Sequence, residues 1–200
     1  MRHELILAST SPYRRALLDR LGLPYRALPP AFTERTEAEV PDPEAMVVEN
    51  ARGKTAGLAA MHPGAIVIGC DQTAVCEGEV LGKPETEARA VEQLLRLAGR
   101  EHALLTAVSV RRSAEERTTL VRSVLRMRPF SREEAAAYVT RERPIDCAGA
   151  YKSEGLGIAL FDAMGGEDPT AIVGLPLIAL IRLLRDFGLN VLLPEGDREP

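Results

Sequence analysis

Apolar and polar positions alternate along this chain with two periods, and the exchanges between them mark its elements. Glu4 to Ala8 (ELILA) reads as a strand. Ser9-Thr10-Ser11 follows, and Pro12 behind a serine cap opens a helix with Leu17, Leu18 and Leu21 on its apolar face, ended by Gly22. Tyr25–Leu28 suits a second short strand, leading into a polar loop with Glu34, Glu37 and Glu39. A helix from about Glu44 to Met61 carries Glu49, Asn50 and Lys54 on neighbouring turns. Ala65 to Ile68 and Gly69 form a near-continuous apolar run, which predicts a strand buried on both faces with Asp71 at its C-terminal end. Open α/β sheets bind ligands outside the carboxyl ends of their strands. Glu77-Gly78 predicts a hairpin of Thr73–Cys76 and Glu79–Leu81, whose return strand ends in Gly82-Lys83-Pro84 and brings an ammonium toward Asp71.

Thr86 caps a further helix to about Ala98, ended by Gly99. His102–Arg112 and Arg117–Arg128 alternate and predict antiparallel strands around Ser113-Ala114. Ser131 with Glu134 is a capping box opening a helix to about Arg141, closed by Pro144. A glycine-rich stretch, Cys147–Gly166, precedes a strongly apolar helix, Leu175–Phe187, which should be central, and Pro194–Pro200 reads as a frayed tail. The pattern predicts an α/β domain over residues 1–200 in two lobes with a central cleft. One lobe is about 1–72 plus 144–200, the other is an insertion of about 73–143, and Asp71 and Lys83 fall at the hinge.

Two hundred residues suffice for a real core, and the 46% hydrophobic and 27% charged content is that of an ordinary globular protein. A net charge of −4 argues against a dedicated nucleic-acid binder but leaves room for a local basic pocket. No apolar run is long enough to cross a membrane, and the N-terminus lacks a signal peptide's apolar region. Three cysteines without a zinc spacing favour a reducing cytoplasm. Of 25 basic residues only Lys54, Lys83 and Lys152 are lysines, each beside Gly, Ser or Thr, where a compact ammonium suits a phosphate. Ser9, Thr10 and Ser11 converge with a helix N-terminus, Arg14 and Arg15 on a second anion-binding feature. Gly53-Lys54-Thr55 is not a P-loop, because the earlier glycine falls at Val48 inside a predicted helix. The histidines are scattered and read as surface or structural, and serine hydrolysis has no elbow motif.

Together LILASTSPYRRALLDRLG, ENARGKTAGLA, VIGCDQ, GKP and CAGAYKSEGLGIALF…VGLPL resemble the Maf family of nucleotide pyrophosphatases, from about Leu5 to Phe187. The resemblance implies an inosine-triphosphatase-like fold with a mixed twisted sheet, a divalent cation (Mg²⁺ or Mn²⁺), and hydrolysis of a nucleoside triphosphate to monophosphate and pyrophosphate. The position matching the family's catalytic base is Asp71, and those matching its phosphate and metal contacts are Ser9, Ser11, Arg14, Glu34, Lys54 and Lys83. Glu34 and Asp71 are the expected metal ligands. The chain departs from the family at Ala107, where glycine is usual, and at Thr33, where an acidic residue often stands. The family's known associations also imply a homodimer and, as an alternative function, a regulator of septum formation that binds nucleotide without turnover.

Tyr13, Gln72 and Glu154 stand where the family's branches differ. The dTTP/UTP branch tends to have Arg, Thr and Gln there; the 7-methyl-GTP branch has an aromatic, Gln and Glu. A methylated guanine is cationic, so an aromatic face attracts it by roughly 0.5–2 kcal/mol. Its N1–H and N2–H donors suit a carboxylate, which Glu154 offers, and Gln72 would complete the edge through its amide. The expected substrate is therefore 7-methyl-GTP.

Overall fold

The computed structural model describes residues 4–193; His3 and the tail Pro194–Pro200 lie outside them. Twelve regular elements run in the order β1 (Leu5–Ala8), α1 (Pro12–Asp19), β2 (Arg26–Leu28), α2 (Pro43–Met61), β3 (Ile66–Cys76), β4 (Glu79–Leu81), α3 (Glu87–Leu97), β5 (Glu101–Arg112), β6 (Glu115–Met127), α4 (Arg132–Glu142), β7 (Phe161–Gly165) and α5 (Leu177–Asp186). Capping follows the sequence closely. Ser11, Thr86 and Ser131 cap α1, α3 and α4, the last through the full capping box with Glu134.

All seven strands join one mixed sheet, ordered β2-β1-β3-β5-β6-β7, with β4 paired to β3. β1 is parallel to β2 and β3, and every other pairing is antiparallel. The central strand corrects the sequence reading. Ile66–Cys76 is a single strand of 11 residues, so Asp71 lies in its middle and not at its end. What ends is the neighbour. One edge of β3 pairs with β5 from Val67 to Val75. On the other edge β1 reaches only Leu7↔Ile68, and β4 begins only at Ala74↔Leu81. A gap therefore opens opposite Gly69–Thr73. The chain leaves β1 into Ser9–Ser11 on one side of it, and β4 leads into Lys83 on the other.

Side-chain alternation assigns the helices to faces. Leu5, Leu7, Ile66, Ile68, Val108 and Val110 pack with α1 and α5. Farther along the same face Ala74, Cys76, Leu104 and Leu125 pack with α3 and α4. Between the two helix pairs lies the register pair Gln72↔Thr106. The opposite face is covered by α2, through Leu58 and Ala59 against Ile6 and Val67, and through Met46, Val47 and Ala51 against Ala103, Leu105 and Ala107. α2 crosses β3 closely. A Cβ on Gly69 would stand 2.4 Å from the Ala51 carbonyl oxygen and 2.7 Å from Thr55 Cγ2, so only glycine permits this approach.

Three expectations shift. The glycine-rich stretch contains a strand, β7, on the edge of the sheet against β6; its run FDAMG is short and mixed, and only pairing makes it a strand. α5 is buried along one face, with Ile178 43% exposed, so it covers the sheet and is not enclosed. Ala150, Tyr151 and Leu160, read as part of the first lobe, pack with the second cluster. No helix among the described residues is long and apolar enough to cross a membrane.

Candidate active site

Asp71 sits at the gap with its carboxylate on the α2 face, 8% exposed. Its Oδ1 accepts from Lys54 Nζ at 2.6 Å and its Oδ2 from Asn50 Nδ2 at 3.1 Å. Asn50 and Lys54 are four residues apart on α2 and so share one helix face; the close crossing at Gly69 brings that face onto the carboxylate. Lys54 Nζ also donates to the Cys70 carbonyl at 3.2 Å and pairs with Glu34. Asn50 holds the loop that carries Glu34, accepting from Arg35 N at 2.7 Å and donating to Arg35 O at 3.1 Å. The loop is anchored a second time by Phe32, whose ring fills the place a Cβ on Gly53 would take, 2.2 Å away. That packing accounts for the glycine of Gly53-Lys54-Thr55. Burial pushes the Glu34 carboxyl up, but the charges of Lys54, Lys83 and Arg14 outweigh it and hold the group below its ordinary value.

The expected metal ligands thus meet at one point, the Lys54 ammonium. Among the described residues no group of three or more His, Cys, Asp or Glu side chains surrounds a common centre. Two hard carboxylates at the strand gap fit Mg²⁺ or Mn²⁺, which take one or two protein carboxylates and complete their shells with other oxygen ligands.

On the other face, between the two helix pairs, lies a cavity of about 310 Å³. Ser11, Tyr13, Arg14, Gln72, Lys83, Tyr151 and Glu154 are among the residues that line it. Ser9 is buried behind it, with its hydroxyl accepting from Ser11 N at 3.1 Å, and it shapes the turn instead of facing the cavity. Ser11 accepts from Arg14 N at 3.4 Å, and Arg14 Nε donates to the Gly174 carbonyl at 3.0 Å, which fixes the guanidinium at the wall. The Gln72 amide nitrogen is committed, donating to Thr106 Oγ1 at 2.9 Å and Ala171 O at 2.7 Å. Gln72 therefore has only its amide oxygen left for a ligand, a narrower role than the sequence suggested.

Lys152, grouped with the phosphate lysines on composition, is placed elsewhere. Its Nζ donates to the Glu142 carbonyl at 2.6 Å and lies 5.8 Å from the centroid of the Tyr13 ring. Asn50 was missed as a site residue. Its only sequence signal was the four-residue spacing from Lys54. His102 is structural: its Nε2 meets the Tyr151 hydroxyl at 2.9 Å, and burial lowers its pKa to about 4.

A mixed-sheet α/β protein with a polar cavity on one face, a strand gap, and a carboxylate–ammonium cluster beyond it has the makings of a phosphate-ester or phosphoanhydride hydrolase. The family is established by comparison. The chain belongs to the Maf family: the model of the Maf-like protein matches residues 4–187. It is 43% identical over 94% of its length to a "7-methyl-GTP pyrophosphatase" of Syntrophotalea carbinolica, covering 96% of that protein. To the "7-methyl-GTP pyrophosphatase" of Aromatoleum aromaticum it is 47% identical over 93% of its length and 96% of the relative's. The solved structure of the Staphylococcus aureus Ham1 protein superposes with a TM-score of 0.44 and 17% identity, over 62% of this chain and 71% of that one.

Proposed function

We propose that this protein hydrolyses 7-methyl-GTP with water to 7-methyl-GMP and pyrophosphate. The observation that carries the reading is the arrangement around β3: Gln72 faces the cavity while its neighbour Asp71 faces α2, and the sheet edge between them is open. A nucleotide with its base in the cavity and its phosphates at the gap would present the α–β anhydride to Asp71. The names of the relatives support the same substrate.

Each residue then has a task. Arg14, Lys83 and the N-terminus of α1 at Ser11 hold the phosphates, supplying positive charge where the anhydride gains negative charge. Lys54 and Asn50 fix the Asp71 carboxylate so that it accepts a proton from the attacking water. Phosphoryl chemistry asks little more of the protein than such positioning and charge stabilisation. Glu34 with Asp71 would hold a divalent cation, which shields the phosphates and acidifies water. At the base, Tyr13 offers its ring and Glu154 a carboxylate for the N1–H and N2–H donors.

The test compares kcat/KM for 7-methyl-GTP, GTP, dTTP, UTP and CTP on pure protein with Mg²⁺. The highest value is expected for 7-methyl-GTP. A preference for dTTP or UTP would reassign the substrate, and absence of pyrophosphate release from every nucleotide would leave a binding protein.

A further inference from the structure

We propose that Asp146 is a second carboxylate of the base pocket and that it selects a positively charged nucleobase; this rests on the function proposed above. Three charged side chains surround the Tyr13 ring. Asp146 and Glu154 line the same cavity as the ring, and the Lys152 ammonium stands 5.8 Å from its centroid. Lys152 is not free to leave. Its Nζ donates to the Glu142 carbonyl at 2.6 Å, and its backbone N–H donates to the Tyr138 hydroxyl at 2.9 Å. So the ring already carries one cation from the protein. With Glu154 alone, that ammonium and that carboxylate would cancel, and a second cation brought to Tyr13 would meet no net attraction.

Asp146 changes the balance. Beside the ring it sets two carboxylates against the Lys152 ammonium, the complement of a guanine methylated at N7 once Arg14 and Lys83, which line the same cavity, are engaged by the phosphates. Arg14 and Lys83 belong to the phosphate end, where their charges act on Glu34. Neither Asp146 nor Glu154 forms an ion pair among the described residues. The partner Asp146 has is the Cys147 thiol, which donates to Oδ1 at 3.5 Å. Burial, and then the Asp146 charge, push that thiol up to about 12, so it adds no charge to the count. The Tyr13 hydroxyl feels both acids: burial raises it most, and the charges of Asp146 and Glu154 raise it further. Both carboxylates are exposed at the cavity wall and accessible to a ligand.

The two acids therefore divide the recognition. Glu154 reads the donor edge, which GTP and 7-methyl-GTP share; Asp146 reads the charge, which only the methylated base carries. The experiment measures kcat/KM for 7-methyl-GTP and GTP side by side in wild type, Asp146→Asn and Asp146→Glu, at low and at about 0.5 M salt. Asp146→Asn should lower the ratio of 7-methyl-GTP to GTP about twofold to fivefold, as expected for a charge pair at an exposed site. The change should fall in KM for the methylated nucleotide and be larger there than for GTP. Asp146→Glu should restore the ratio, and salt should lower it in wild type but not in Asp146→Asn. An unchanged ratio in Asp146→Asn overturns the proposal, even if both activities fall together as they would from a folding defect. A wild type that does not prefer 7-methyl-GTP to GTP overturns the functional reading as well, which separates the two failures.

Discussion

The two ends of the site are built on opposite electrostatic terms. At the α2 face Asp71 is buried and its charge is answered inside the protein by Lys54 and Asn50. At the cavity Asp146 and Glu154 are exposed, without ion-pair partners among the described residues. A buried charge must be paired, because leaving it alone costs several kcal/mol. An exposed one can wait in water for its ligand. On the function proposed above, the first end is preorganised for chemistry that every nucleoside triphosphate shares, and the second is left for the substrate to complete. Reaction and selectivity should separate under mutation along this line.

The largest effect should come from removing the cation. Phosphate charges next to Glu34 and Asp71 repel unless a cation lies between them. Activity in EDTA should fall to background and return with Mg²⁺ or Mn²⁺; full activity in chelator would show that Lys54 suffices. Next comes the buried end. Asp71→Asn should lose on the order of 100-fold or more in kcat for all nucleotides alike. Asn50→Ala should lose less, on the order of tenfold, because it frees one oxygen of Asp71 and loosens the Glu34 loop but leaves the Lys54 contact. If either variant changed the order of substrates, the division between the two ends would fail.

The last prediction concerns stability and the support of the cavity, apart from the chemistry. His102 is 3% exposed, holds the Tyr151 hydroxyl at 2.9 Å, and is kept neutral by burial, with its pKa lowered from 6.5 to about 4. Between those values the unfolded chain binds a proton that the folded one refuses. The contribution of neutral His102 is thus complete above pH 6.5 and is lost as the pH falls toward 4. Going from pH 7 to pH 5 should cost about 2 kcal/mol of unfolding free energy. Denaturant midpoints at the two pH values should show that loss in wild type, and His102→Gln should be flatter by a similar amount. An equal pH dependence in both would free His102 of this role.

Local chemistry wrote much of this protein directly into its sequence. The caps at Ser11, Thr86 and Ser131, the Glu77-Gly78 turn, and the strand-forming runs of β5 and β6 depend on neighbours within a few residues, and the elements formed close to where the pattern put them. Asp71, Lys54 and Glu34 are candidate site residues by their motifs, and the structure brings the three side chains into one cluster. What depended on distant partners was not legible. Whether β3 stops at Asp71 or runs past it is decided by β5, which pairs with it from Val67 to Val75 and carries the strand across the gap. β7 exists only because β6 offers it an edge. Asn50 reaches Asp71 because Gly69 lets α2 approach β3 within a side chain's width, and Lys152 lies by Tyr13, away from Lys54, because the Glu142 carbonyl holds it there. Hydrogen bonds to the backbone of another segment leave no period or motif in the sequence. They are properties of the assembled fold.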